Sequence, residues 1–275
     1  MPTRLTILVN DRAAGGLAAE HGLAAWVEHE GHAILFDTAS SGRSLEANAR
    51  ALDIPIDEAE AVCLSHGHYD HTGGLPRLAP RLRGARLYAH PAAFRGKAAR
   101  RRGRWQAIGS PVSPDELRAA GLELRVSAEP QEVVPGAWMS GEVEREARLV
   151  PATPHLFAET PAGRQVDPFA DDQAMALCTE PGLVVLSGCA HAGIVNHCRA
   201  AMRLAGERRL RAVVGGFHLV GAAPGLIEAT VEAFRRLEAQ ALHPCHCTGR
   251  EATEALQAAF PDRCRPVVAG ARLDF

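Results

Sequence analysis

The chain has 275 residues, 47% hydrophobic and 23% charged, and 30 basic against 32 acidic side chains leave a formal charge of −2. These proportions fit a soluble globular domain and give no whole-chain electrostatic case for nucleic acid. No run of about 18 apolar residues is present, so no membrane span is expected. Seven cysteines, an odd number scattered along the chain, argue against a disulfide framework and for a reducing cytoplasm. The first ten residues are too short and too strand-like for a signal peptide.

Leu5 to Val9 reads as a strand, and Gly15-Gly16 turns the loop after it. Leu23 to Glu28 and Ala33 to Phe36 read as a hairpin turned at Glu30-Gly31, closed by Asp37. Ser44 to Leu52 has helical spacing, with Leu45, Ala49 and Leu52 on one side. Ala61 to Leu64 reads as a short buried strand, Leu75 to Leu82 as a helix, and Arg86 to Ala89 as a strand ending at His90. Arg95 to Trp105 carries Arg95, Lys97, Arg100, Arg101, Arg102 and Arg104. It reads as a solvated basic loop, or as an anion site, since arginine pairs with phosphate through two parallel hydrogen bonds. A basic run alone is a weak nucleic-acid signal. Asp115 to Ala120 reads as a helix with Ser113 as its N-cap. Leu122 to Val133 reads as strands around Glu129-Pro130, and Ala137 to Gly141 as a further strand end. Residues 142–172 are rich in proline and poorly periodic, which predicts a long irregular loop that shapes a pocket or meets a second copy of the chain. Strands are expected at Ala174 to Cys178, Leu183 to Leu186, Ala212 to Val214 and the stretch before His246, with a last one at Val267-Val268. Helices are expected at Gly193 to Ala205, Leu226 to Leu237 and Glu251 to Phe260.

The stretch that carries chemistry is Ser65-His66-Gly67-His68-Tyr69-Asp70-His71-Thr72-Gly73-Gly74, straight after the buried strand. Imidazole nitrogen and carboxylate oxygen are ligands for zinc and iron. Alternate residues of an extended segment point the same way, so His66 and His68 can share one ion. Asp70 and His71, leaving the following turn, can face a second ion.

The spacing H-x-H-x-D-H after a strand resembles the signature of the metallo-β-lactamase superfamily. His21-Gly22-Leu23 and Ile34-Leu35-Phe36-Asp37-Thr38 resemble its opening strands. Asp171-Asp172-Gln173-Ala174, Ser187-Gly188-Cys189-Ala190-His191, Gly215-Gly216-Phe217-His218 and His246-Cys247-Thr248-Gly249 are similar to one branch of it. Members of that branch are related to a methanopterin-pathway synthase that joins a pterin to a ribofuranosyl-aminobenzene phosphate.

The resemblance implies a single α/β domain over residues 1–275, an αββα sandwich of two mixed sheets flanked by helices, with metals at one edge. It implies His66, His68 and a third histidine at a first metal, and Asp70, His71 and His246 at a second. Cys189 falls where a bridging residue belongs. Many relatives carry the third histidine about twenty residues earlier, where this chain has Pro168-Phe169-Ala170. His191 is the substitute, and His155 the alternative. Asp37 is either outer support or a turn cap. His218 is expected to line the pocket, and Arg100, Arg101 and Arg102 to hold a substrate phosphate. Cys245 and Cys247 are expected in the core, and His29, His32, His197 and Cys198 in structural or surface roles.

The chemistry expected is that of two divalent ions, zinc first, with iron or manganese as alternatives. Such ions bring the pKa of bound water near 7, and the hydroxide attacks an ester, lactone or phosphodiester, with Asp70 orienting it or taking a proton. The expected substrate is a small molecule, phosphorylated in one variant, and the chain forms a homodimer in another. A pterin-condensing synthase and a non-catalytic metal-dependent binding protein are the alternatives.

Overall fold

The structure, a computed structural model, describes residues 3–275. In chain order, β1 (Arg4–Val9), β2 (Ala24–His29) and β3 (His32–Phe36) form an antiparallel meander. Helix α1 (Arg43–Ala51), strand β4 (Ala61–Cys63), the short helices α2 (Tyr69–Thr72) and α3 (Leu75–Leu78), and β5 (Arg86–Ala89) follow. Next come β6 (Lys97–Arg101), β7 (Arg104–Ala107), α4 (Pro114–Ala120) and β8 (Glu123–Val126). The second half holds β9 (Gln131–Val134), β10 (Ala137–Met139), β11 (Leu156–Thr160), β12 (Gly163–Val166), β13 (Ala174–Thr179) and β14 (Gly182–Ser187). It closes with α5 (Ile194–Ala205), β15 (Leu210–Gly216), α6 (Pro224–Arg236), β16 (Leu242–Cys245), α7 (Arg250–Ala259) and β17 (Arg272–Asp274).

Two mixed sheets carry the fold, in the orders β17-β1-β2-β3-β4-β5-β8 and β16-β15-β14-β13-β10-β9. In the first, β3, β4, β5 and β8 run parallel; in the second, β14, β15 and β16 do. Strands buried on both faces read as unbroken apolar runs, which is why Ala61-Val62-Cys63 and Leu183-Val184-Val185-Leu186 were legible as strands. Between the sheets lie Leu5, Ile7, Val27 and Phe36 from one side and Met175, Leu177, Leu186 and Val214 from the other. Outside the first sheet, Leu45, Leu75 and Leu117 bring α1, α3 and α4 onto Leu35 and Val62. Outside the second, Val195, Phe234 and Leu256 bring α5, α6 and α7 onto Val185 and Val213. The layers are therefore helix, sheet, sheet, helix. Ser113 caps α4 through a reciprocal pair with Glu116. Among the described residues no helix is long and apolar enough to cross a membrane.

Three expectations need correction. The basic stretch 95–105 is not a loop: it is the hairpin β6–β7. The stretch 142–172 contains a second hairpin, β11–β12. β6 pairs with β11, so the two hairpins make one four-stranded sheet, β12-β11-β6-β7. β7 and β12 are exposed along their whole length, so they lack the apolar alternation that marks a strand in sequence. The last strand is β17, paired with β1, and not Val267-Val268, where the Val267 amide donates to the Pro244 carbonyl in a loop.

Candidate metal centre

The parallel strands end on one edge of the sandwich, and the residues that follow them converge there. Asp37 follows β3, Ser65 to His71 follow β4, Cys189 and His191 follow β14, His218 follows β15 and His246 follows β16. Ligand crevices form outside the carboxyl ends of strands in parallel sheets because loops from several strands meet there. Asp37, Ala190, His218 and His246 turn through left-handed backbone, with φ of 57, 60, 47 and 46°. That conformation costs a non-glycine residue about 1 kcal/mol or more. Gly188 is held to glycine by space: a Cβ would lie 2.0 Å from Ser65 Oγ and 2.9 Å from Asp37 Oδ2.

Two groups of ligand-type atoms overlap at Cys189. In the first, His66 Nε2 lies 3.1 Å from His68 Nδ1, and His66, Cys189 and His191 each offer an atom within 4.8 Å of the others. The rings of His66, His68 and His191 stand 4.7, 4.9 and 5.0 Å apart, edge to face. In the second, Asp70, His71, Cys189 and His246 each offer an atom within 4.8 Å of the others. There, Asp70 Oδ2 lies 3.7 Å from His71 Nε2 and 3.4 Å from His246 Nε2, and Cys189 Sγ lies 3.2 Å from His71 Nε2. Several buried nitrogens at this point have no hydrogen-bond partner: His68 Nε2, both nitrogens of His191, His218 Nδ1 and His246 Nε2. Leaving such atoms unpaired costs about 1–3 kcal/mol each. Divalent cations at the two groups would account for His246 Nε2 and one nitrogen of His191, and the imidazole, carboxylate and thiol set fits zinc or iron.

Outer contacts aim these groups. Asp37, fully buried, accepts from the Ser65 amide, the Ser65 hydroxyl and His71 Nδ1, each at 2.7 Å. That leaves His71 Nε2 facing the cluster, as outer carboxylates do for metal-bound histidine. Asp171 accepts from the Gly67 amide at 2.8 Å and from Lys97 Nζ at 2.9 Å, and Lys97 also reaches Asp167 at 2.7 Å. Asp172 accepts from the Ala192 amide at 2.7 Å and meets His197 Nε2 at 2.8 Å. Phe169 stacks on His191, with ring centroids 4.0 Å apart and planes 9° from parallel.

Burial holds His66 and His191 well below the ordinary imidazole range, with neighbouring histidines adding to the effect. Burial, then Lys97, lowers His68 to about 3. These three rings are therefore neutral, the form a metal needs. Burial works against the Asp70 carboxylate, but His71 and His246 outweigh it and keep Asp70 ionised. Burial raises the Cys189 thiol, and its hydrogen bond to Cys247 adds to that. Cys247 is equally buried, yet that same bond and the charges of His246 and His218 pull it toward thiolate.

A cavity of about 620 Å³ opens beside both groups, bordered by His68, Asp70, Cys189, His191, His218 and His246. Its far walls are apolar, with Val150, Pro151, Leu156, Val220 and Leu226, and Arg101 and Arg148 lie on its rim. The 142–172 segment thus shapes the cavity. Only one of the three expected arginines does. Arg100 lies across the Trp105 ring, 5.8 Å from its centroid, and Arg102 occupies the β6–β7 turn with φ 50°. Strand alternation and the turn carry both away from the rim.

Cys247 also departs from expectation. It borders the cavity and groups with Cys189 and His218, because the chain leaves β16 at His246 in a tight turn over His246–Thr248 and strand alternation stops. Cys245 is in the core between the sheets. His155 borders the cavity but joins no ligand group, and His90 caps a short turn by accepting from the Ala92 amide. His197 and Cys198 are buried on α5, and His29 is buried against Thr3, while His32 faces Glu60 near the surface. Sequence reasoning missed Arg148, the buried Lys97, and the paired Asp11 and His21, of which His21 borders the cavity. His21 was read only within an opening strand and Lys97 only as one of a basic run, while Asp11 and Arg148, isolated charged residues, offered no signal.

A profile of the metallo-beta-lactamase superfamily matches residues 18–195. The chain is 29% identical to the 7,8-dihydropterin-6-methyl-4-(beta-D-ribofuranosyl)-aminobenzene-5'-phosphate synthase of Methanocaldococcus jannaschii, over 94% of this chain and 90% of the relative. It is 31% identical to a solved metal-dependent hydrolase of the beta-lactamase superfamily, with a TM-score of 0.86 and 99% of each chain covered. The fold also matches the Zn(2+)-bound PqqB of Methylobacterium extorquens, at 14% identity and a TM-score of 0.61 over 99% of this chain and 100% of that one. Family profile, full-length likeness and the convergence of strand ends on one ligand-rich edge agree, and the chain belongs to the metallo-beta-lactamase superfamily.

Proposed function

We propose that this protein is a metal-dependent hydrolase acting on a small ester, lactone or phosphodiester, with two divalent ions as cofactors. The observation that carries this reading is the pair of ligand groups that share Cys189 and open on one cavity. His66, His68 and His191 would hold the first ion, Asp70, His71 and His246 the second, and Cys189 would lie between them. Bound there, the ions supply acidic water and neutralise the charge that develops on the substrate. Asp70 would orient the attacking water or take its proton. His218, 4.1 Å from His191 between ring centroids, lines the same cavity. Zinc is the ion expected first, with iron and manganese as alternatives.

The apolar walls with two rim arginines favour a substrate with a flat or greasy body and one anionic end. That supports a second reading, condensation of a pterin with a ribofuranosyl-aminobenzene phosphate, the activity after which the archaeal relative is named. A single experiment separates the two. The purified protein is assayed for metal content, for hydrolysis of generic phosphodiesters and lactones, and for pterin–arylamine product by mass spectrometry. Hydrolysis without condensation supports the first reading, and condensation alone the second. Stoichiometric metal with neither reaction leaves a metal-dependent binding protein. In each case His68→Ala is expected to lose metal and activity together, and full metal content in that variant would overturn the ligand assignment.

A further inference from the structure

We propose that His21 is an additional ligand of the second metal ion, held in place by Asp11, a carboxylate it shares with His246. The inference rests on the two-ion reading above and adds a residue to it from a part of the chain that the H-x-H-x-D-H signature does not reach.

The geometry is nearly symmetric. Asp11 Oδ1 lies 2.6 Å from His21 Nδ1, and Asp11 Oδ2 lies 2.5 Å from His246 Nδ1. With Nδ1 of each ring bonded to one carboxylate, both Nε2 atoms face the opposite way, toward Asp70. His21 Nε2 is 3.3 Å from Asp70 Oδ2, and His246 Nε2 is 3.4 Å from the same oxygen. Those separations are longer than an ordinary N–H···O bond of about 2.7–3.2 Å. They lie within the reach of two donors on one ion, whose bonds of about 2.0–2.1 Å allow donors up to about 4 Å apart, and His21 groups with Asp11 and His246 at the edge of the set Asp70, His71, Cys189 and His246. His246 Nε2 is buried with no hydrogen-bond partner, so it already points to a missing ligand at this spot. A carboxylate on the far nitrogen of a metal-bound imidazole fixes its tautomer and aim. Here one carboxylate does so for two rings.

The backbone around His21 is built for this approach. The Leu23 amide donates to the Asp70 carbonyl at 3.2 Å, and the Ser40 hydroxyl donates to the His21 carbonyl at 2.5 Å. Gly22, at φ 119°, passes so close to Asp70 that a Cβ would lie 2.0 Å from the Asp70 carbonyl oxygen. Only glycine fits there, and its absence of a side chain is what lets His21 reach the metal edge from the cavity mouth.

The test measures metal binding on the full chain, independently of any activity. Wild type, His21→Ala and Asp11→Asn are loaded with zinc and with cobalt(II). Stoichiometry, affinity by chelator competition, the cobalt(II) visible spectrum and the number of imidazoles seen by zinc X-ray absorption are then compared. His21→Ala is expected to keep the first ion, to bind the second at least about tenfold more weakly, and to show one fewer imidazole with an altered cobalt spectrum. Asp11→Asn, which keeps both rings, is expected to weaken the second ion by about 10–100-fold. Circular dichroism checks that each variant is folded. If His21→Ala holds two ions with affinity, imidazole count and spectrum within twofold of wild type, the inference is overturned while the two-ion reading stands. A fall in turnover without any change in those metal readouts overturns it equally. If the wild type itself binds fewer than two ions, both fail.

Discussion

His71 offers Nε2 to the ligand cluster because its other nitrogen is fixed by Asp37, 2.7 Å away and fully buried. The same carboxylate also anchors the amide and hydroxyl of Ser65, whose Oγ lies 2.9 Å from His66 Nδ1. One side chain thus aims a histidine in each ligand group. Asp37→Asn keeps the volume but loses the charge and turns one oxygen acceptor into a donor. It is expected to lower metal affinity by about 10–100-fold, read by chelator competition, with circular dichroism still native. Affinity within twofold of wild type would show that Asp37 only caps its turn. The ligands themselves were legible because histidine and aspartate crowd into residues 66–71 and because Cys189, His191 and His246 follow apolar strands. Asp11 and His21 were not. Their meaning depends on His246, and Asp11 and His246 are 235 positions apart, a contact no local pattern encodes.

At the scale of elements, the hairpin β6–β7 carries Arg101 on the cavity rim and Lys97 in a buried clamp, while Arg148 lies in the segment before β11. Lys97 on β6, 4% exposed, sits between Asp167 and Asp171, and burial is outweighed by those two carboxylates so that it stays charged. Asp171 in turn holds the Gly67 amide between the two motif histidines. Lys97→Met would leave two buried carboxylates without their cation. The expected loss is about 3–5 kcal/mol of stability, measured by urea unfolding, because breaking a buried pair strands its partner. A loss below about 1 kcal/mol would mean that water already reaches the pair. The rim makes a separate prediction. Arg101→Ala combined with Arg148→Ala should raise KM for phosphorylated substrates at least about tenfold and leave neutral esters nearly unchanged. Arg100→Ala and Arg102→Ala should leave KM for both substrate classes nearly unchanged, since neither residue lines the cavity. Equal effects on neutral and anionic substrates would remove the anion site. These hairpins escaped the sequence reading because β7 and β12 have no buried face to impose a period of two, whereas β14 and α5, packed on the core, were legible almost to the residue.

At the scale of the whole molecule, the fold stores neutral histidines. His29, His66, His68, His90, His155, His191 and His243 are all held below the usual imidazole value, with burial the leading cause in each. The unfolded chain takes up their protons near pH 6.5, whereas folded His68 resists until about 3. Unfolding therefore binds protons across that interval, so stability is full above pH 6.5 and falls as the pH drops. Each such ring contributes about 1.4 kcal/mol per pH unit. His21, held up first by its hydrogen bond to Asp11, runs the other way, as does His246, where Cys247 and Asp11 outweigh burial. Their stabilisation is present below pH 6.5 and is lost on raising the pH through their folded values. Seven rings against two leave a net uptake of protons on unfolding in acid. The metal-stripped protein is accordingly expected to lose more than about 1.4 kcal/mol between pH 6.5 and 5.5 in urea titrations. With zinc present the fall should be steeper, since bound ligands must stay deprotonated and the unfolded chain holds no formed site. A flat profile in the stripped protein would mean that the histidines are already hydrated and that the cavity floor is open to water.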